Sequence, residues 1–143
     1  MREILEAVAA GDLTPTEAEA ELRGYATGDA GRFDAARVSR SGVPEAVLGD
    51  GKTSAEVADL VTTSLETTGR AIATRLSAHQ VSAARAAVDD AHPEASLRLD
   101  DRAGILLVHG PDFERPDLAA SVGVVAAGTS DAEPAGEAAM VAR

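Results

Sequence analysis

An α/β fold is the architecture this sequence predicts, and three observations carry that expectation. From residue 46 onward, β-prone runs alternate with helical ones; two of the helical segments open on capping boxes; and Val122–Ala127 is apolar throughout, as expected of a strand buried on both faces of a parallel sheet. Each element follows from local chemistry. Ile4, Leu5 and Val8 recur at helical spacing, and Gly11 stops that helix. Thr14-Pro15-Thr16-Glu17 is a capping box with proline at the first helical position, so a second helix is expected to run to Arg23 and make a helical hairpin. Residues 24–32 contain three glycines and no apolar period, which reads as a linker or loop.

The stretch from Phe33 to Leu48 is broken by Gly42 and Pro44, and Ala46-Val47-Leu48 is its best strand. Thr53-Ser54-Ala55-Glu56 then opens a helix with Val57, Leu60, Val61 and Leu65 on one face, ending near Gly69. Ala71 to Leu76 reads as a strand, and Ser77-x-x-Gln80 starts a further helix with Val81, Ala84 and Val88 aligned. Ser96–Leu99 and Gly104–His109 are β-prone runs separated by a polar turn, a hairpin or edge pair. A proline-rich, acidic connector from Pro111 to Ala120 leads to Val122–Ala127, then to a loop and a helix starting at Pro134. Three units are expected: a helical hairpin at 1–28, a small α/β domain at 29–117, and the opening of another βα unit at 118–143.

Composition narrows the function. With 143 residues the chain can bury one core. Thirteen Lys+Arg against 24 Asp+Glu give a formal charge of −11, which argues against nucleic acid and against an anionic membrane, since both recruit clustered cations. No apolar run is long enough to span a bilayer, and the acidic start is unlike a signal peptide. The absence of cysteine removes disulfides, thiolate-bound zinc and a thiol nucleophile from these residues, and it fits a cytoplasmic location. Aromatic residues are 2% of the chain, so the core must be made of Ala, Val, Leu and Ile. Lys52 is the single lysine, and acidic residues are spread along every segment; the pattern fits a salt-adapted coat or simply an acidic protein.

Three groups of residues could carry chemistry. Gly128-Thr129-Ser130-Asp131 lies between a strand-like run and a helix, where open α/β sheets bind ligands and helix N–H groups attract anions. Thr129 and Ser130 suit phosphate oxygens and Asp131 suits ribose hydroxyls; a plain helix cap explains the same residues. Gly49-Asp50-Gly51-Lys52-Thr53 resembles the end of a phosphate loop, but Ala46 stands where the first glycine of a Walker A loop is needed. Lys52 remains a single anion contact, or the loop is only a helix-opening turn. Asp34-x-x-Arg37-x-x-Arg40 could present two cations to a polyanion or form an internal ion-pair cluster. His79, His92 and His109 lack paired-ligand spacing.

Taken together, Asp34-Ala35-Ala36-Arg37-Val38-Ser39-Arg40-Ser41-Gly42-Val43-Pro44-Glu45, Gly49-Asp50-Gly51-Lys52-Thr53, and Val122 to Asp131 with Pro134 and Glu137 resemble the LarB family of nickel-pincer cofactor biosynthesis proteins, the pyridinium-3,5-biscarboxylic acid mononucleotide synthases. The resemblance implies a carboxylase/hydrolase that adds CO2 to the pyridinium ring of nicotinic acid adenine dinucleotide and cleaves its phosphoanhydride, releasing AMP. It implies that residues 118–143 begin a PurE-like, flavodoxin-like domain of the kind found in aminoimidazole ribonucleotide carboxylases, and that the complete enzyme is a homo-oligomer, an octamer in the PurE manner. The implied substrate-binding set here is Gly128, Thr129, Ser130, Asp131, Arg37, Arg40 and Lys52; no covalently bound cofactor is implied, and Mg2+ is the metal to consider for the complete enzyme. Family members add a cysteine to the ring, and this chain has none. It also carries Gly136-Glu137 where the family often has an acidic pair. The chain is therefore expected to be the amino-terminal part of a longer enzyme, stopping before the catalytic cysteine and inactive alone. The rival reading is a non-catalytic nucleotide-binding or assembly module; a third is a ligand-free, salt-adapted structural domain.

Overall fold

The computed structural model describes residues 2–11, 15, 18, 22, 24–28, 31–37, 44–114 and 119–142. Its elements are α1 (Arg2–Ala10), β1 (Tyr25–Gly28), β2 (Gly31–Asp34), β3 (Val47–Leu48), α2 (Ser54–Thr68), β4 (Arg70–Thr74), α3 (Ala78–Ala91), β5 (Ser96–Asp100), β6 (Ile105–His109) and α4 (Ala132–Val141), the last preceded by a 3-10 turn at Thr129–Asp131. The fold is mixed α/β. β1 and β2 form an antiparallel pair, and the other four strands make one sheet in the order β3-β4-β6-β5. In that sheet β3 runs parallel to β4, while β6 is antiparallel to both β4 and β5.

The helices that flank β4 start where the sequence chemistry starts them. In α2 the Thr53 hydroxyl accepts from the Glu56 backbone N–H and the Glu56 carboxylate accepts from the Thr53 N–H; Ser77 and Gln80 repeat the arrangement at α3. Each box satisfies two backbone donors that have no partner inside the helix. Gly69 ends α2 in the left-handed conformation at φ 72°, where a side chain would be strained.

Alternation along β4 and β6 divides the core into two. Ala71, Ala73, Leu106 and Val108 face Val57, Leu60, Val61 and Leu65 of α2 and Ala84 and Val88 of α3. Ile72, Ile105 and Leu107 point to the opposite face, where Met140 of α4 and Ala103 cover them. Neither cluster contains an aromatic residue, as the composition required. Each fully buried Val, Leu or Ile contributes about 1.5–3 kcal/mol of transfer free energy, so many small contacts replace a few large ones. Gly136 lets α4 approach closely: a Cβ there would lie 2.5 Å from the Cβ of Ala103.

Two expectations need correction. Residues 24–32 are not simply a linker, because Tyr25–Gly28 pairs with Gly31–Asp34 in register Tyr25↔Asp34 to Gly28↔Gly31, leaving a two-residue connection. Gly28 and Gly31, which argued for a loop, instead end the first strand and begin the second, on which Phe33 is buried. Val122–Ala127 forms no strand: the run is irregular, and Val122 and Val125 are 71% and 95% exposed. A strand apolar on both faces needs neighbours on both sides, and among the described residues no strand pairs with it. Of the expected helix at 15–23 only residues 15, 18 and 22 are described, all three helical; its capping box lies outside the described residues. Among the described residues no helix is long and apolar enough to cross a membrane.

Candidate functional site

The parallel pair β3 and β4 directs two loops to the same end of the sheet, since Leu48 is level with Thr74. After β3 the chain turns through Gly49 to Lys52, closed by a hydrogen bond from the Lys52 N–H to the Gly49 carbonyl (3.1 Å), with Gly51 at φ 74°. The Gly49 N–H donates to the Thr74 carbonyl at 2.8 Å. Gln80, buried on α3, donates from Nε2 to the carbonyls of both Gly49 and Lys52, each at 2.8 Å. Gly49 must lack a side chain, because a Cβ would sit 2.6 Å from the Arg75 carbonyl oxygen. The Lys52 loop is thus a preformed turn held from three sides.

Arg75 follows β4 with φ 55°, and it is the one described non-glycine residue at positive φ. Its guanidinium is about half exposed and lies 3.6 Å from Asp50 and 3.5 Å from Glu137 of α4. Left-handed backbone costs a side-chain-bearing residue about 1–2 kcal/mol, and such conformations gather at functional sites. Immediately before it, Thr74 is buried and its hydroxyl has no hydrogen-bond partner among the described residues.

A different cluster occupies the amino end of β4. The side chains of Phe33, Asp34, Pro44, Glu45, Ser64 and Arg70 line a cavity of about 10 Å³, the size of a single water. The Glu45 carboxylate accepts the Asp34 backbone N–H at 2.5 Å. The hydroxyls of Ser64 and Thr68 both donate to the Arg70 carbonyl, at 2.9 and 2.8 Å. The Arg70 guanidinium lies 5.4 Å from the centre of the Phe113 ring, on which His109 stacks at 4.2 Å. Burial lowers the pKa of Arg70 from its ordinary value.

The residues singled out from sequence are therefore dispersed. Lys52 lies at the carboxyl end of β3, while Asp34 and Glu45 lie at the amino end of β4, so the structure separates two parts of one sequence pattern by the length of a strand. Arg37 is exposed after β2, and Arg40 lies outside the described residues. Gly128 to Asp131 form an exposed 3-10 turn in which the Ser130 hydroxyl is 3.4 Å from Asp131 Oδ1. Neither the turn nor α4 gains a side-chain cap from these residues, leaving their polar groups turned to solvent. Among the described residues, no group of three or more His, Asp or Glu side chains gathers as a metal site.

Sequence reasoning missed Arg70, Arg75 and Gln80. Arg75 carried a signal, being the first of the two residues between a strand and a helix N-cap in a βα unit. Gln80 was read as half of a capping box, but its amide also reaches 31 residues back to Gly49.

Compared with known families, residues 25–109 match a family model described as LarB/PurE-like N-terminal domain. The match begins with β1 and ends with β6, so it takes in the hairpin, the four-stranded sheet, α2 and α3. No curated protein matches the chain.

Proposed function

The chain belongs to the LarB/PurE-like N-terminal domain family, and from that premise we propose that it serves as the amino-terminal, substrate-positioning part of a LarB-type carboxylase/hydrolase. The proposed reaction joins CO2 to the pyridinium ring of nicotinic acid adenine dinucleotide and hydrolyses the phosphoanhydride, giving the biscarboxylated mononucleotide and AMP. The observation that carries this reading is the family match across β1–β6, which contains the Asp34 to Glu45 and Gly51-Lys52-Thr53 motifs in order.

This chain's own part is binding. A dinucleotide of this kind presents a carboxylate and two phosphates, and cationic and hydroxyl groups are what recognise them. Lys52, held on its preformed turn, supplies a point charge to such an anion. Thr129 and Ser130 offer hydroxyl donors, and Asp131 offers an acceptor for ribose hydroxyls. Arg37 and Arg40 belong to the same proposed set. With no cysteine among its residues, the chain has no thiol to add to the ring, so ring activation is assigned to a group outside it. That same lack favours the second reading, a non-catalytic nucleotide-binding or assembly module.

Isothermal titration of the folded chain with nicotinic acid adenine dinucleotide, with and without magnesium, tests the proposal. Saturable binding that Asp131→Ala weakens supports it. Absence of binding by a chain whose circular dichroism and melting show it folded removes substrate positioning from these residues.

A further inference from the structure

We propose that Arg75 anchors an oxyanion site at the carboxyl end of β3 and β4, taking a phosphate group in exchange for the carboxylates of Asp50 and Glu137. For its biological ligand this rests on the dinucleotide reading, but its test does not.

The resting contacts of Arg75 are loose. Charge-assisted hydrogen bonds from a guanidinium to a carboxylate are about 2.7–2.9 Å long and are often bidentate. Arg75 instead meets Asp50 through Nη1 at 3.6 Å and Glu137 through Nε at 3.5 Å, one atom each. The Asp50 side chain is 73% exposed and that of Arg75 48%, so water competes for both members of that pair. The Glu137 side chain is more enclosed, 25% exposed, but its contact is equally long, and two such contacts on a half-exposed guanidinium are too weak to account for holding an arginine in left-handed backbone. The conformation follows instead from the frame around it, which fixes both neighbours. The Arg75 carbonyl is packed against Gly49, and the next residue, Leu76, donates its N–H to the Gly104 carbonyl at 3.0 Å. The guanidinium is therefore offered from a rigid base, beside a turn that carries the single lysine of the chain.

Helix N-termini are not what makes this an anion site. The capping boxes at Thr53 and Ser77 already occupy donors of α2 and α3 with their own side chains. The cation has to come from Arg75, with Lys52 on the neighbouring loop. The buried, unpartnered hydroxyl of Thr74 is a second sign that this end of the sheet lacks a polar partner, since buried hydroxyls are normally satisfied. A phosphate fits the exchange better than another carboxylate: it brings up to two negative charges and three acceptor oxygens, which a planar fork and a point charge can share. Asp50 and Glu137 then act as competitors that keep the guanidinium in place until the ligand arrives.

Competition gives the test its signature. Calorimetric titration with inorganic pyrophosphate at low ionic strength should show saturable binding to the wild-type chain. Arg75→Gln should weaken it at least tenfold, while the double variant Asp50→Asn/Glu137→Gln should bind several-fold more tightly. A folded wild-type chain that binds no pyrophosphate overturns the proposal, as does Arg75→Gln binding with unchanged affinity. Equal or weaker binding by the double variant also overturns it, because the two carboxylates would then be supports and not competitors. The arms separate this inference from the dinucleotide reading. Arg75-dependent pyrophosphate binding without dinucleotide binding leaves the site and removes the substrate, whereas dinucleotide binding untouched by Arg75→Gln does the reverse.

Discussion

The two ends of β4 each carry an arginine, and the structure treats them in opposite ways. Arg70, at the amino end, is drawn into the protein: its guanidinium stands over Phe113, burial lowers its pKa, and two hydroxyls bind its carbonyl. Arg75, one residue beyond the carboxyl end, is held outward in left-handed backbone with two loose carboxylate contacts. The environment, and not the residue type, decides which arginine packs and which is presented. Sheet polarity explains the assignment. The parallel pair sends both its connecting loops to the carboxyl end, whereas the amino end is closed by β6, the β1–β2 hairpin and Phe113.

The largest effect is expected from breaking the amino end. Phe33→Ala removes the one buried aromatic side chain among the described residues, and large aromatic truncations of this kind cost about 3–5 kcal/mol. Thermal melting should show a loss on that scale. At the other end, Gly49→Ala puts a Cβ against the Arg75 carbonyl, a backbone atom that cannot swing away. Overpacking of this sort costs about 1–3 kcal/mol, and denaturant titration should register it. Arg75→Gln, by contrast, should lower stability by less than about 1 kcal/mol, because it removes only two long ion-pair contacts of a half-exposed guanidinium. A larger loss in the same titration would make Arg75 a structural residue like Arg70.

The smallest effect is one of pH. Glu56 has its pKa lowered, first by its backbone hydrogen bond to Thr53 and then by the Thr53 hydroxyl, with Lys52 adding to the shift against a small opposing effect of burial. A carboxyl whose folded-state pKa is depressed stabilises the fold above its unfolded value of 4.5 and loses that contribution as pH falls through the folded value. Glu56→Gln should therefore lower stability modestly at neutral pH and flatten the acid limb below about pH 4.5, where the variant and the wild-type chain converge. An unaltered acid limb would show that the box adds nothing through its charge.

What could be read in advance followed the range of the interaction. Capping boxes act over three residues, so Thr53/Glu56 and Ser77/Gln80 placed both helices correctly. The β5–β6 hairpin and the strand at Val47 were equally legible, because alternation and turn chemistry are local. The β1–β2 hairpin was missed since Gly28 and Gly31 signal a loop and a tight turn alike, and only strand pairing separates the two. Val122–Ala127 failed for the opposite reason: its composition is that of a buried strand, but burial depends on neighbours that a local pattern does not contain. The candidate site was half visible. Lys52 and the 128–131 turn stood out by spacing, whereas the proximity of Asp50, Arg75 and Glu137 joins residues up to 87 positions apart and leaves no periodic trace.

By itself, the sequence determined the starts of α2 and α3, the stop of α2 at Gly69, the mainly aliphatic makeup of the core, and the set of motifs that resembles one family, because each depends on residue identity and short spacing. Only the tertiary structure decided that those motifs sit at opposite ends of β4, that Gln80 clamps the Lys52 turn, and that Arg75 is presented while Arg70 is packed. Those outcomes arise from sheet order and strand direction, which set what meets what across the chain. No local propensity encodes them.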